Sequence, residues 1–348
     1  MTDATTSQPE APALPGSGFL RPSRRLRLAR LRDLALIPPI IALVIYGYVT
    51  NPDVFLTKSY FVDSVLKNLA PLALVVLAEA LVLIVGKFDL SLESIVGIAP
   101  AIAVFLVIGK TTALGAPWPT WTVLPVALVF GALAGIFNGL LIVRFKLSAF
   151  IVTLAMLITL RGLQLTIVGG ATMSNLAKQV PLLDHLGSQR FLTLPIAIWI
   201  VAAAFAVGIG VLGYTRVGRS LYAVGGNPAA ARAAGIRVDR VIWLTFVVAG
   251  VLAAIAGLML SAQLGSVSAS QGQNMIFQVF AAAVIGGISL DGGKGSLFGA
   301  LSGVLLLRLI EAVLVLAQVP AEQIQMVYGL VILVALVLAR LTTGKAQD

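Results

Sequence analysis

Residues 64–109 read SVLKNLAPLALVVLAEALVLIVG-KFDLS-LESIVGIAPAIAVFLVIG, which is two apolar runs separated by a short polar stretch. A helix that spans a membrane needs about 20 mostly apolar residues. Only helices and closed barrels satisfy every backbone group inside hydrocarbon, and these runs lack the alternation of a barrel strand. The segment therefore predicts two membrane helices with a polar break at Gly86–Ser91.

The same pattern recurs along the whole chain. With 59% hydrophobic and 11% charged residues and a mean hydropathy of +1.02, the chain carries more apolar surface than a water-soluble fold of 348 residues can bury. We predict an all-α membrane protein, a polytopic helical bundle of about ten transmembrane helices, of which the third and eighth are short. The predicted spans are 34–50, 64–86, 92–109, 121–143, 147–168, 195–213, 241–263, 275–290, 297–317 and 324–340.

Basic residues orient these spans. Placing the N-terminus in the cytoplasm puts seventeen Lys and Arg residues on the cytoplasmic face and five on the opposite face, with Arg161 and Arg308 inside spans. The seventeen are Arg21, Arg24, Arg25, Arg27, Arg30, Arg32, Lys87, Arg144, Lys146, Arg216, Arg219, Arg232, Arg237, Arg240, Lys294, Arg340 and Lys345; the five are Lys58, Lys67, Lys110, Lys178 and Arg190. We predict a multi-pass protein of the bacterial inner membrane with both termini cytoplasmic. Loops that face anionic membrane lipid or a partner then account for the net charge of +10 without nucleic acid.

The chain divides into three parts by composition. Residues 1–33 predict a disordered, basic cytoplasmic segment, residues 34–341 the membrane domain, and residues 342–348 a cytoplasmic tail. The first apolar run begins only at Leu34, so we expect no cleaved signal. Cysteine is absent and His185 is the one histidine, which leaves no predicted catalytic or metal site.

Glycines recur at four-residue spacing in two places. Gly131, Gly135 and Gly139 form one run, and Gly295, Gly299 and Gly303 form another. Each run places glycine on one helical face, which favours close helix packing over ligand contact. Residues 86–97 also echo residues 287–299, so we expect two related halves of about five spans.

Two partial nucleotide motifs do not fit their structural context. The GxGxxG of Gly208, Gly210 and Gly213 lies inside an apolar span without a preceding strand. Residues 287–296 resemble a phosphate loop, but the spacing is one residue too long and Gly295 follows Lys294. We therefore expect ATP to be bound by another polypeptide.

Polar residues at membrane depth are costly and mark candidate functional positions. The ionisable ones are Glu79, Asp89, Glu93, Arg161, Arg308 and Glu311. Arg308 and Glu311 are three apart, which favours a structural ion pair. Asp89 follows a predicted helix break, where it can cap the next helix, line a pathway, or do both. The predicted substrate pathway comprises Asp89, Ser91, Asn138, Thr153, Asn274 and Gln278, and its neutral groups suit a hydroxylated solute better than an ion.

The cytoplasmic loop at about 214–240 contains a short helix with clear end signals. Asn227 can cap it, Pro228 suits its first position, and Gly235 can end it. A helix this short needs a surface to dock against. A partner subunit fits that need, and a membrane-surface helix held by its arginines is the alternative.

Several ordered segments together resemble the permease subunits of ribose-type ABC importers, a family that also includes branched-chain amino acid permeases. The matching segments are Asn51–Thr57, Asp89–Ser91, Ala149–Leu154 with Arg161–Gly162, Gly218–Ile236, and Ala283–Gly287 leading to Gly292–Gly295. Lys87, Ala229, Ile276 and Gln278 depart from the family pattern, which leaves the solute open among pentoses, hexoses, sugar alcohols and related polar molecules.

The resemblance implies an importer subunit rather than an enzyme. It implies a homodimer of permeases, a cytoplasmic ATPase subunit that carries ATP and Mg, and a periplasmic solute-binding protein. The ATPase would dock on a coupling loop that contains Gly225, Gly226, Asn227, Arg232 and Gly235, and this chain itself would hold no cofactor.

Three other functions stay open as alternatives. The first is a proton-coupled secondary transporter that uses Asp89, Glu93 or Glu311 as its carrier group. It predicts uptake by this chain alone, abolished when the proton gradient collapses. The second is a scaffold or receptor, and the broken helix argues against it because such a protein would not need one. The third is an enzyme, which would need a nucleophile, base or metal cluster that the sequence lacks.

Overall fold

A computed structural model describes residues 35–108, 118–170 and 172–343. The predicted N-terminal segment 1–33, Lys110 and Lys345 lie outside these residues. The elements in chain order are α1 (Ile37–Thr50), a π-helical turn (Lys58–Leu66), α2 (Lys67–Ile84), α3 (Leu92–Ile108), a 3-10 turn (Thr120–Thr122), α4 (Val123–Arg144), α5 (Ala149–Val168), β1 (Thr172–Met173), α6 (Leu176–Gln179), α7 (Pro181–Ser188), β2 (Arg190–Phe191), β3 (Leu194–Pro195), α8 (Ile196–Tyr214), α9 (Arg216–Gly226), α10 (Pro228–Ala233), α11 (Val238–Leu264), β4 (Val267–Ser268), α12 (Met275–Ile285), α13 (Leu297–Leu316) and α14 (Ala321–Thr343).

The predicted all-α membrane fold is confirmed. The ten predicted spans coincide with α1 to α5, α8 and α11 to α14. In the described part of the chain, six helical segments are long and apolar enough to cross a membrane, and α1, α3 and α12 are shorter apolar helices. The third and eighth spans are thus short, as predicted, and α12 ends at Ile285 rather than near residue 290.

The central helix is α2, which is buried almost throughout its length. It packs against α8, α11, α12 and α13. Apart from Lys67, Asn68 and Glu79, its side chains are apolar on all faces, which is typical of a helix surrounded by other helices. The outward faces of α4, α5 and α8 remain exposed and apolar, as expected for surfaces that contact lipid.

Glycines bring α4 and α11 into backbone contact. A Cβ atom added to Gly131 would strike the carbonyl oxygen of Gly250, and one added to Gly250 would strike that of Gly131. Gly135 lies in the same way against the carbonyl of Phe246. The first predicted packing run is therefore confirmed, because any side chain at these positions would push the two helices apart.

The second glycine run packs α13 against α12. Gly299 and Gly303 lie against the backbone carbonyls of Gly286 and Ala282, while Gly295 precedes the helix. The run therefore joins the two helices that flank the helix break at residues 286–295.

Two helix ends echo each other, as the sequence predicted. After α2, Gly86 has φ +72° and the amide of Lys87 donates to the carbonyl of Val82 at 3.1 Å. After α12, Gly287 has φ +81° and the amide of Ile288 donates to Ala283 at 2.9 Å. Both are Schellman ends, in which a left-handed glycine closes the last turn.

The α4–α11 contact can be tested by adding a single methyl group to one of its glycines. We expect Gly135→Ala to lower the stability of the purified protein by roughly 1–3 kcal/mol, because backbone atoms of α11 cannot move aside as a side chain can. Gly210→Ala in α8 is the matched control, since a Cβ there meets no atom within 4 Å. Thermal unfolding in detergent measures both, and equal midpoints for the two variants would contradict the packing described.

Candidate functional site

The polar break between α2 and α3 forms a buried hydrogen-bonded cluster. The side chain of Asn138 donates from Nδ2 to Ser91 Oγ at 2.8 Å, and Ser91 Oγ donates to Asp89 Oδ1 at 2.5 Å. The Ser91 amide also donates to Asp89 Oδ1, at 3.0 Å. All three side chains are fully buried. Asp89 therefore accepts from the residue directly before α3 and not from the first amides of that helix, as the capping interpretation predicted.

Glu79 of α2 joins this cluster. The amide of Asp89 donates to Glu79 Oε1 at 3.4 Å, and both carboxyl groups are fully buried. Glu79 Oε2, Asp89 Oδ2 and Asn138 Oδ1 have no hydrogen-bond partner among the described residues. Buried oxygens without partners are costly, so this cluster is a polar centre with capacity left for a further donor.

Thr153 lies beside the same break. Its hydroxyl donates to the carbonyl of Ala149 at 2.8 Å, and the carbonyl of Phe88 lies 3.4 Å away. Four of the six predicted pathway residues, Asp89, Ser91, Asn138 and Thr153, are thus brought together. Asn274 and Gln278 lie elsewhere, at a second polar site.

This second site is a cavity of about 480 Å³ at the start of α12. Cavities of this size accommodate small molecules. Its polar lining combines amides, hydroxyls and one guanidinium: Ser270, Gln273, Asn274, Gln278, Arg308, Gln325 and Tyr328. Phe277 and Met275 supply apolar surface. Donors and acceptors of neutral type dominate this lining.

The cavity lies beside the middle of α13. Arg308 is eleven residues after the first residue of α13, which places it about 16 Å along a helix of about 30 Å. The eleven residues of α12 rise only about 16 Å, which is half of a hydrocarbon core of roughly 30 Å. The helix is therefore too short to cross such a core alone, and Asn274, with φ +64°, makes the turn into it.

Two ionisable residues of the first half fix this turn. The Arg161 guanidinium donates to the carbonyl of Gln271 at 3.0 Å and to Gln273 Oε1 at 2.8 Å. Glu93 Oε2 accepts from the amide of Ile276 at 3.2 Å, in the first turn of α12. A carboxylate at a helix N-terminus satisfies amides that have no partner within the helix. Arg161 and Glu93 thus hold the cavity wall in place.

The far wall of the cavity comes from α13 and α14. Arg308 pairs with Glu311, which confirms the predicted ion pair, yet Arg308 also lines the cavity. Gln325 and Tyr328 were not predicted as site residues. Only the polar residues at the start of α14, within an otherwise apolar span, could have indicated them.

A glycine junction joins the breaks to the loop between α8 and α11. Gly225 of α9 lies against the carbonyl of Ile84 and the amide of Gly293, and that amide donates to Ile84 at 2.8 Å. The Tyr222 hydroxyl donates to the carbonyl of Gly295 at 2.8 Å. The two helix breaks and α9 therefore meet at one place.

The loop predicted to couple to an ATPase contains two helices, α9 and α10, and not one. The predicted end signals are nevertheless confirmed: Asn227 Oδ1 accepts from the amide of Ala230 at 3.0 Å, Pro228 begins α10, and Gly235 has φ +82°. Arg232 pairs with Asp239 at 3.2 Å, and both side chains are exposed. The loop is thus ordered by its own contacts.

Comparisons with known proteins point to one family. Residues 61–336 match the family described as branched-chain amino acid transport system, permease component. The chain is 32% identical to the ribose import permease protein of Haemophilus influenzae over 85% of this chain and 89% of that protein. It is 37% identical to the autoinducer 2 import system permease protein of Klebsiella pneumoniae, over 89% and 87%. No solved structure matches the chain at a significant level.

The buried cluster at the first break makes a prediction about stability. Asp89→Asn keeps a side-chain oxygen that accepts from Ser91. Asp89→Leu removes this acceptor, so the Ser91 amide and hydroxyl both lose their hydrogen bond to residue 89. We expect Asp89→Leu to cost roughly 1–3 kcal/mol for each buried group left without its bond, and Asp89→Asn to cost much less. Membrane abundance and thermal midpoints of the two variants measure the difference, and identical behaviour would show that these bonds do not stabilise the break.

Proposed function

The chain belongs to the family of branched-chain amino acid transport system permease components, and on that premise we propose that it is the membrane subunit of an ATP-driven importer. Its solute is a monosaccharide or a similar small polar molecule, moved into the cytoplasm. A separate ATPase subunit supplies the energy, with ATP and Mg on that partner. A periplasmic solute-binding protein delivers the solute, and two copies of the permease form a homodimer in the bacterial inner membrane with cytoplasmic termini.

The observation that carries this proposal is the cavity at the start of α12. Asn274, Gln278 and Gln325 offer amide donors and acceptors together, and Tyr328 adds a hydroxyl. A hydroxylated solute presents both kinds of group and no net charge. A broken helix near the midplane is also where transporters bind their solutes. Two relatives of this chain carry import in their names, for ribose and for autoinducer 2.

The glycine junction supports coupling to a partner in the cytoplasm. α9 and α10 form the cytoplasmic surface, and Tyr222 and Gly225 of α9 contact the segment that follows α12. A short helix such as α12 moves as a rigid unit, so displacement at its cytoplasmic end reaches the cavity at its other end. A partner that binds α10 could thereby open and close the cavity without touching it.

A second candidate is favoured by one specific observation. The buried carboxyl groups of Glu79 and Asp89 each keep one oxygen without a partner among the described residues, as a proton carrier in the membrane could. Of the other proposed carriers, Glu93 holds the first turn of α12 and Glu311 pairs with Arg308. Proton-coupled transport by this chain alone therefore rests on Asp89.

Docking of the ATPase can be tested on α10. Ala229 is exposed there, and Ala229→Trp should block a partner while leaving the helix intact. We expect association with the ATPase encoded beside this chain, and solute-stimulated ATP hydrolysis in nanodiscs, to fall at least tenfold. Ser148→Trp is the control, since Ser148 is exposed on the same face and its side chain caps nothing.

Two outcomes would contradict these proposals. Normal association and hydrolysis with Ala229→Trp would refute docking on α10; uptake by the chain alone that stops when the proton gradient collapses would refute the importer. The second outcome would establish the proton-coupled candidate instead.

The cavity can be tested on α14. Gln325→Ala removes one neutral hydrogen-bonding group from the lining, which is worth about 0.5–1.5 kcal/mol, or up to roughly tenfold in affinity. We expect the concentration for half-maximal uptake to rise by that factor in vesicles that contain the permease, its ATPase and the solute-binding protein. Gln323→Ala, two residues earlier on α14, is exposed and does not line the cavity, so it should leave uptake unchanged. Equal uptake by the two variants would exclude Gln325 from the pathway.

A further inference from the structure

A long apolar groove lies outside both polar sites, between α2, α8 and α11. Its volume is about 940 Å³. Leu77 and Leu81 of α2 form its floor, Val207 lines it on α8, and Val248 and Leu252 line it on α11. Val207 and Val248 are exposed, so the groove opens on the surface of the bundle. Neither polar site contributes to its lining.

Three arginines form one end of this groove. Arg216, Arg237 and Arg240 line it where α8 and α11 reach the cytoplasmic loop, and all three are exposed. The ion pairs found in the described part of the chain involve Arg190, Arg232 and Arg308 instead. The rim therefore carries three positive charges that no carboxylate of this chain, within the residues described, neutralises.

The groove has the depth of one membrane leaflet. Val241 and Leu252 both line it, and the eleven residue steps from one to the other rise about 16 Å along α11. That is about half of a hydrocarbon core of roughly 30 Å. The apolar part thus extends from the arginine rim to near the midplane.

We propose that this groove is a binding site for an anionic phospholipid of the cytoplasmic leaflet. One or two acyl chains lie against Leu77, Leu81 and Leu252, and the headgroup phosphate lies on the arginine rim. Guanidinium groups bind phosphate with paired hydrogen bonds, and basic pockets between helices on the cytoplasmic side bind anionic headgroups. The site rests on the proposed orientation of the chain and is independent of the solute and of the ATPase.

Charge argues against a second copy of the chain as the occupant. A two-fold contact through this face would bring the same three arginines of each copy together at one level, and like charges repel. A cytoplasmic partner could reach the rim but not the apolar depth of the groove. A molecule with one anionic end and a long apolar body matches both parts.

Bound lipid would support the coupling helices. Leu221 of α9 and Gly235 at the end of α10 both line the groove, next to the arginine rim. The lipid would therefore contact the two helices that connect a cytoplasmic partner to the helix breaks.

The test is a titration of the purified full chain in a mild detergent, followed by native mass spectrometry. The probes are phosphatidylglycerol and phosphatidylcholine with identical acyl chains. We expect phosphatidylglycerol to bind at least tenfold more tightly. A basic residue near an anionic headgroup contributes roughly fivefold, so the triple variant Arg216→Gln, Arg237→Gln, Arg240→Gln should lose that preference. The matched control is Arg144→Gln, Lys146→Gln, Arg219→Gln, which removes as much charge from the same face outside the groove.

A second pair of variants tests the acyl chains without changing charge. Ala203→Trp fills the groove and should weaken binding of both lipids, whereas Ala202→Trp, exposed on the same helix but outside the lining, should not. Three results would overturn the proposal: equal affinity for the two lipids, equal loss in the two triple variants, or equal binding of glycerol phosphate without acyl chains. Efficient cross-linking of Val207→Cys between two copies would also overturn it, because a second copy would then fill the groove.

Discussion

The structure depends on one constraint: inside hydrocarbon, every backbone group exposed by a break in a helix needs a partner. The chain breaks its helices at residues 86–91, 265–274 and 286–295, and each break is satisfied from within the bundle. Glu79 accepts from the amide of Asp89, Glu93 accepts from the first turn of α12, and the amide of Gly293 donates to Ile84. Ionisable residues at membrane depth are thus retained here because backbone groups require them.

Glycine makes these breaks possible in a second way. Gly86, Gly225, Gly292 and Gly293 approach one another through backbone atoms, so three chain segments occupy a space that side chains would otherwise fill. A junction of this kind has no flexible side chains to absorb a displacement. Under the proposed function, movement of α9 would be passed to the segments after α2 and α12, because backbone atoms of the three segments are in direct contact.

The positions of the membrane helices could be predicted from the sequence, whereas most of the contacts between those helices could not. Apolar runs of about 20 residues identified the ten helices, because length and hydropathy are local properties. The glycine runs also identified packing faces correctly. The cavity was predicted only through Asn274 and Gln278, since Gln325 and Tyr328 reach it from α14 by tertiary packing that no local pattern encodes. For the same reason, Asp89 and Asn274 were grouped in one pathway, although the structure places them in two separate polar sites.

Because the two polar sites are separate, they can have different roles in transport. The cavity at α12 is open, mostly neutral and close to exposed side chains, so it can exchange a solute with water. The cluster at Asp89 is fully buried, and its chain of bonds from Asn138 through Ser91 to Asp89 connects α4 to the break. A solute could enter that cluster only if the break moved, and the break is attached to the glycine junction through Gly86. Under the proposed function, the cavity therefore holds the solute, whereas the Asp89 cluster stays closed until the junction moves.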